Sequence, residues 1–170
     1  MKKLFKVALV AGFMMLTAGF AKAQSKIGYL DFNQVIDAMP ETKTVSTQLQ
    51  AYSKTFMDQM QNMQNELQTK GAAYEKSQAT MTDAARTAAQ TELNDINKRL
   101  QDFNQTATQK VEQKRNELGK PLFDKAKLAV NAVAKEKGYT YVIDSGSTNL
   151  LVSPAGDDLL AAVKLKLGIK

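Results

Sequence analysis

The sequence contains no cysteine, no histidine and no tryptophan. Without cysteine there is no disulfide and no thiolate ligand for a metal. Without histidine, the commonest metal ligand and the commonest general base are both missing. The nine glycines are scattered, and neither G-x-G-x-x-G nor G-x-x-x-x-G-K-S/T occurs, so no phosphate-cradling loop is present. Asp144-Ser145-Gly146 has the outline of a nucleophile turn, but no histidine exists to activate the serine, and turn chemistry accounts for it. Asp157-Asp158 reads as a helix start and not as a metal site, and Glu92 and Asp95 as part of a solvated helix face. Asn104-Gln105-Thr106 fits a glycosylation sequon but falls in the middle of a helical pattern. The chain is expected to be no enzyme and to use no cofactor and no metal.

A large excess of charge is also missing once the start of the chain is set aside. Met1-Lys2-Lys3-Leu4-Phe5-Lys6, the apolar run from Val7 to Leu16 and the small-x-small pattern Ala21-Lys22-Ala23 describe a secretory signal cleaved before Gln24. The competing reading is a membrane anchor, but the run is shorter than the roughly 20 residues needed to span. Residues 1–23 hold four of the 23 Lys and Arg and no acid, so the remaining chain carries 19 basic against 17 acidic residues, net +2 instead of +6. Residues 41–118 balance at ten against ten, and residues 119–170 carry eight against five. Nucleic acid is therefore not an expected partner. A leader with no lipobox cysteine points to the bacterial envelope, and to the periplasm as the location.

Proline and glycine are scarce where it matters most. Of the three prolines none falls between Glu41 and Leu118, and Gly71 is the single glycine of that stretch. Val45, Leu49, Tyr52, Phe56, Met60, Met63, Leu67 and Tyr74 recur there at steps of mostly three and four, forming one helical stripe. A matching stripe returns through Ala89, Leu93, Ile96, Leu100, Phe103, Ala107, Val111 and Leu118. Between the two stripes Gln78 to Thr82 is polar, with Thr82 placed as an N-cap and Asp83 beside the helix start. The expectation is an antiparallel helical hairpin over residues 41–118, its first arm roughly 55 Å long at about 1.5 Å per residue. An eleven-residue spacing from Val45 to Phe56 to Leu67 predicts little left-handed supercoil.

The flanks, residues 24–40 and 119–170, should form a small α/β body. Lys26 to Phe32 reads as a strand apolar on both faces, and Asn33 to Met39 as a short helix capped by Asp31 or Asn33. Gly119-Lys120-Pro121 predicts a kink in the return arm, not a break. Gly138 after Lys135-Glu136-Lys137 marks its end. Tyr139 to Asp144 and Asn149 to Ser153 are expected to form a β-hairpin about Ser145 to Thr148. A last amphipathic helix carries Leu159, Leu160, Val163 and Leu167. So few strands with apolar residues on both faces leave an open edge, so self-association is expected, through Ile27, Tyr29, Leu30, Tyr141, Val142, Ile143, Leu150 and Val152.

Methionine is the one unusual abundance, eight in the chain. Met57, Met60 and Met63 cluster near Tyr52, Phe56 and Tyr74, with Phe103 opposite and Met81 at the tip. Thioethers suit surfaces that accept many shapes. These eight residues are candidates for contact with a partner, with filling of the seam or closing of the tip as the alternative.

Ile27-Gly28-Tyr29-Leu30-Asp31-Phe32, Pro40-Glu41 at the base of the arm, and Ala134-Lys135-Glu136-Lys137-Gly138-Tyr139 running into Tyr141-Val142-Ile143-Asp144 resemble the Skp/OmpH-like periplasmic chaperone family over nearly the whole chain after the leader. That resemblance implies a mainly α, α+β fold in which strands of three copies build a β-barrel body and three hairpin tentacles surround a cavity. It implies an ATP-independent holdase whose partners are unfolded outer-membrane β-barrel proteins and further copies of itself in a homotrimer. The basic tentacles of the best-known member are absent here, so lipopolysaccharide or membrane-surface contact stays open. A second reading is a coiled-coil envelope spacer that holds no unfolded chain.

Overall fold

The computed structural model describes residues 25–169; the leader and the start at Gln24 lie outside the described residues. The order is β1 (Ile27–Leu30), α1 (Phe32–Ala38), α2 (Pro40–Ser77), α3 (Asp83–Lys137), β2 (Tyr141–Asp144), a 3-10 turn (Ala155–Asp157) and α4 (Leu160–Lys166). The fold is mainly helical, with one two-stranded sheet.

Local chemistry places the boundaries. Asp31 caps α1, its Oδ1 accepting from the backbone N–H groups of Asn33 and Gln34 at 3.0 and 3.3 Å. Pro40 occupies the first turn of α2, where a missing N–H costs nothing. Thr82 Oγ1 accepts the N–H of Ala85 and starts α3. Gly138 at φ 72° ends it in the left-handed conformation, with Lys135 and Lys137 in the last turn. Pro121 sits inside α3, which runs on without a break through residue 137. Proline removes only one helical donor, and packing of Leu122, Ala126, Ala129 and Val133 into the body holds the helix beyond the gap.

The hairpin of α2 and α3 has a thin seam. Both stripes face it, yet only Ile96, 1% exposed, and Ala107 are buried along the arms. No residue of α2 is buried. Tyr52 meets Phe56 edge-on at 5.1 Å, and Phe56 packs on Phe103 at 6.0 Å. Lys70 pairs with Glu92 across the arms, and Arg99 with Glu66 at 3.6 Å.

The core lies in the body instead. Leu30, Val35 and Met39 from the N-terminal flank meet Leu122, Ala126 and Val133 of α3, and Leu159 and Val163 close the cluster. Lys125 ties α3 to Glu41 at the root of α2, and Lys166 ties α4 to Glu136. Hydrophobic burial is thus concentrated where the two flanks of the hairpin converge.

One expectation fails. β1 and β2 pair in parallel, Ile27 opposite Tyr141 through Leu30 opposite Asp144, and residues 149–153 form no strand. After β2 the chain turns through Thr148 N–H to Asp144 C=O, and farther on Tyr29 Oη donates to Ser153 C=O at 3.3 Å. The far edge of β1 is taken by Asp158 in a single bridge, with Leu159 N–H donating to Tyr29 C=O. Residues 149–153 have strand-forming side chains but do not take the outer edge of β2, and Leu151 is left 90% exposed. The β1 strand is also shorter than expected, because Asp31 already caps a helix that takes in Phe32.

Candidate functional site

Two surfaces carry the residues singled out in the sequence: the arms and the sheet. On the arms, Tyr52, Phe56, Met60, Met63 and Tyr74 of α2 and Phe103 of α3 are half-buried in the seam. They serve the hairpin with one flank and show the other to solvent. Asn104 Nδ2 reaches Met60 Sδ at 3.6 Å, and Gln90 Nε2 donates to Tyr74 Oη at 2.8 Å. Met57 stands apart, 65% exposed beside the seam. Met81 is half-buried at the tip and lines a small hollow with Tyr74, Ala89 and Leu93, so it closes the end of the hairpin.

The arms are electrically quiet. Lys54–Asp58, Lys98–Asp102 and Lys114–Glu117 pair along single helices at 2.7 to 2.8 Å. The Asp102 carboxylate holds the Lys98 ammonium above its ordinary value, and Glu92 does the same for Lys70. Such exposed pairs stabilise little, but they cancel charge locally. What faces outward is amide, hydroxyl and methyl surface interspersed with charges of both signs in balance, and broken by Met57.

At the sheet, Ile27 and Tyr141 lie opposite each other and are 49% and 61% exposed. Tyr29 and Ile143 are the next matched pair but one, both half-buried, as is Val142. Leu150 is half-buried and Val152 exposed on the loop that follows. Leu30 belongs elsewhere: at 2% exposure it is enclosed in the protomer's own core and offers no side chain to another copy. Its alternation along β1 turns it under the sheet, towards Val35 and Leu159. The outer edge of β2 pairs with no strand among the described residues.

Four further apolar side chains of the body, Phe123, Leu128, Leu151 and Leu165, are exposed, although Phe123 falls in an apolar helical pattern and Leu151 in an expected strand. Leu128 could have been found, since it falls out of phase with the buried positions 122, 126, 129 and 133. Phe123 stacks on Phe32 at 6.1 Å, a contact between residues far apart in sequence.

No group of three or more potential metal ligands occurs among the described residues. Among the same residues, no helix is long and apolar enough to cross a membrane.

Comparison with known proteins agrees with this geometry. The family model of OmpH-like outer membrane protein matches residues 26–167. The chain is 28% identical over 167 residues to the chaperone protein Skp of Photorhabdus luminescens, covering 96% of this chain and 97% of that one. It is 28% identical to Skp of Yersinia enterocolitica, covering 89% and 93%, and 26% identical to Skp of Vibrio cholerae, covering 86% and 89%. A crystal structure described as an OmpH-like outer membrane chaperone of Caulobacter crescentus superposes with a TM-score of 0.68 at 13% identity, covering 86% of each chain, which speaks for the fold. Helical arms of this length on a small two-stranded body, matched from one flank to the other, make this chain a member of the OmpH-like family of outer membrane proteins.

Proposed function

We propose that this protein is a periplasmic chaperone of the holdase type, not an enzyme and without need of ATP. It keeps unfolded outer-membrane β-barrel proteins from aggregating by holding them between the hairpins of three copies. The observation that carries this reading is the separation of roles in the protomer. The core is confined to the body, while α2 and α3 project with a seam that buries only Ile96 and Ala107. A helix pair about 55 to 60 Å long has no packing use for that length within one chain. Its outward face, neutral and rich in small polar groups, offers many weak contacts, which three arms multiply. The exposed Ile27 and Tyr141 on the open sheet supply the surface for assembly into a trimeric barrel body.

The test is aggregation of an outer-membrane barrel protein diluted from urea, with and without the mature protein at a trimer-equivalent excess. Suppression of light scattering is expected. A version lacking residues 54–110, rejoined by a short loop, should remain oligomeric and lose the protection. No suppression by the intact protein would favour an envelope spacer, and full protection by the shortened one would remove the arms from the mechanism.

A further inference from the structure

Five methionines lie among the described residues, in a chain without cysteine, histidine or tryptophan, so their thioethers are its most readily oxidised side chains. Met39 is 2% exposed in the core of the body, whereas Met57 is 65% exposed and Met60, Met63 and Met81 are half-buried. An oxidant in solution therefore meets the arms and not the core. Met57 and Met60, about one turn apart on α2, line an open hollow of about 250 Å³ together with Asn104, Ala107 and Arg115 of α3.

Met60 differs from the others in what its sulfur touches. Asn104 Nδ2 donates to Met60 Sδ at 3.6 Å across the seam, and no other methionine sulfur takes a donor among the described residues. A thioether is a weak acceptor, so this link between the arms is weak as it stands. Oxidation to the sulfoxide makes the group polar and gives it an oxygen to offer the same amide. That oxygen takes less room than the roughly 30 Å³ of a water molecule. The hollow therefore holds it without unpacking Ala107, one of the two side chains the seam buries. Asn104 is exposed and free to swing to the new acceptor.

From this contact beside an open hollow, we propose that Met60 is a reversible oxidation site and that its sulfoxide fastens α2 to α3 through Asn104. The oxidant is a peroxide. A lone pair of Sδ attacks one peroxide oxygen, and the S–O bond forms as the O–O bond breaks. The departing hydroxide takes the proton of the transferred hydroxyl and leaves as water. Sulfur gives up two electrons and the peroxide is reduced. A dithiol reverses the step, returning the thioether with a disulfide and water. Met57, more exposed, reacts sooner and loses its apolar character, but with no donor at its sulfur it adds no link. A methionine sulfoxide ordinarily disrupts packing. Met60 departs from that rule because its oxygen arrives opposite a donor at a half-solvated seam. The inference does not depend on what the arms hold.

The test treats the full mature protein with hydrogen peroxide, maps the added oxygens by peptide mass spectrometry and compares amide hydrogen exchange before and after. Sulfoxide at Met57 and Met60, with Met39 intact, is the expected pattern. Exchange over residues 56–63 and 100–108 should then slow by roughly two- to tenfold, the reach of one added hydrogen bond. The slowing should persist in Met57→Leu and vanish in Met60→Leu and in Asn104→Ala, none of them at a buried position. It should revert when methionine sulfoxide reductases A and B are added with a dithiol, one enzyme serving each sulfoxide epimer. Met60→Leu still carries Met63, so a slowing that survives in it would place the effect elsewhere and overturn the site. Exchange unchanged or faster in the oxidised parent would overturn it too, as would a Met60 that stays reduced in the folded protein after Met57 has reacted.

Discussion

Asp144 Oδ1 accepts the backbone N–H of Phe32 at 3.1 Å, so the last residue of β2 holds the first turn of α1, more than a hundred positions away in the chain. The same oxygen accepts the N–H of Gly146 at 3.0 Å and fixes the turn that follows. Through this carboxylate the two flanks of the hairpin are fastened to each other at the sheet's end.

Acid should loosen that fastening. The Phe32 N–H holds the Asp144 carboxyl below its ordinary 3.8, against the opposing effect of burial, with Gly146 helping. A carboxyl depressed in the folded state contributes stability above its unfolded value and loses it as pH falls through the folded one. Chemical denaturation at pH 7 and at pH 3 should therefore show a drop on acidification that is smaller in Asp144→Asn. At pH 7 that variant should be less stable by about 1–2 kcal/mol.

Gly146 is required by Asp31. A Cβ at Gly146 would lie 2.5 Å from Asp31 Oδ1 and 3.0 Å from its Cγ. That carboxylate caps α1 and also accepts from Gln34 Nε2, so it cannot move without releasing the helix start. Gly146→Ala should cost about 1–2 kcal/mol in urea denaturation, the range of a lost N-cap. A variant as stable as the parent would show the cap to be dispensable.

Gly28 marks a close approach inside the body. Its added Cβ would meet Leu159 Cδ1 at 2.9 Å and Tyr139 Cδ1 at 3.0 Å, both from buried side chains. Overpacking of this kind costs about 1–3 kcal/mol. Gly28→Ala should lower the unfolding midpoint of the body while leaving hydrogen exchange in the arms unchanged.

The seam should answer independently. Ile96→Ala removes the largest buried side chain of the arms and should destabilise them by about 2–4 kcal/mol. Hydrogen exchange should then quicken along residues 56–107 and stay slow around Leu122 to Val133, since the two regions share no core. Uniform acceleration would mean that arm and body unfold together.

Tyr141→Asp places a charge on an exposed strand residue of the open sheet without touching the protomer's core. Light scattering should show a mass reduced towards the monomer with unchanged helical circular dichroism. An undiminished oligomer would move the assembly surface elsewhere.

Much of the architecture was legible because it follows from local rules. The stripes on α2 and α3, the cap at Thr82 and the stop at Gly138 each need only a few neighbouring residues to be decided and were read correctly, while of Asp31 and Asn33 the structure chose Asp31. The segment 149–153 was misread because its side chains suit a strand whether or not an edge is available. The outer edge of β2 stays open, and the chain turns away from it after Asp144 before Asp158 bridges the free side of β1. Leu30 was misplaced for a related reason: a strand apolar on both faces does not say which face its own helices cover.

Periodicity and end-capping alone determined that this chain is two long helices bent back on each other between short αβ flanks, because helical spacing repeats every few residues and is written locally. Only the tertiary structure decided that the strands run in parallel, that Leu30 turns inward while Tyr141 stays out, and that the seam opens beside Met57. Each of those outcomes depends on which distant segment reaches a surface first, and that is settled by packing between the two ends of the polypeptide.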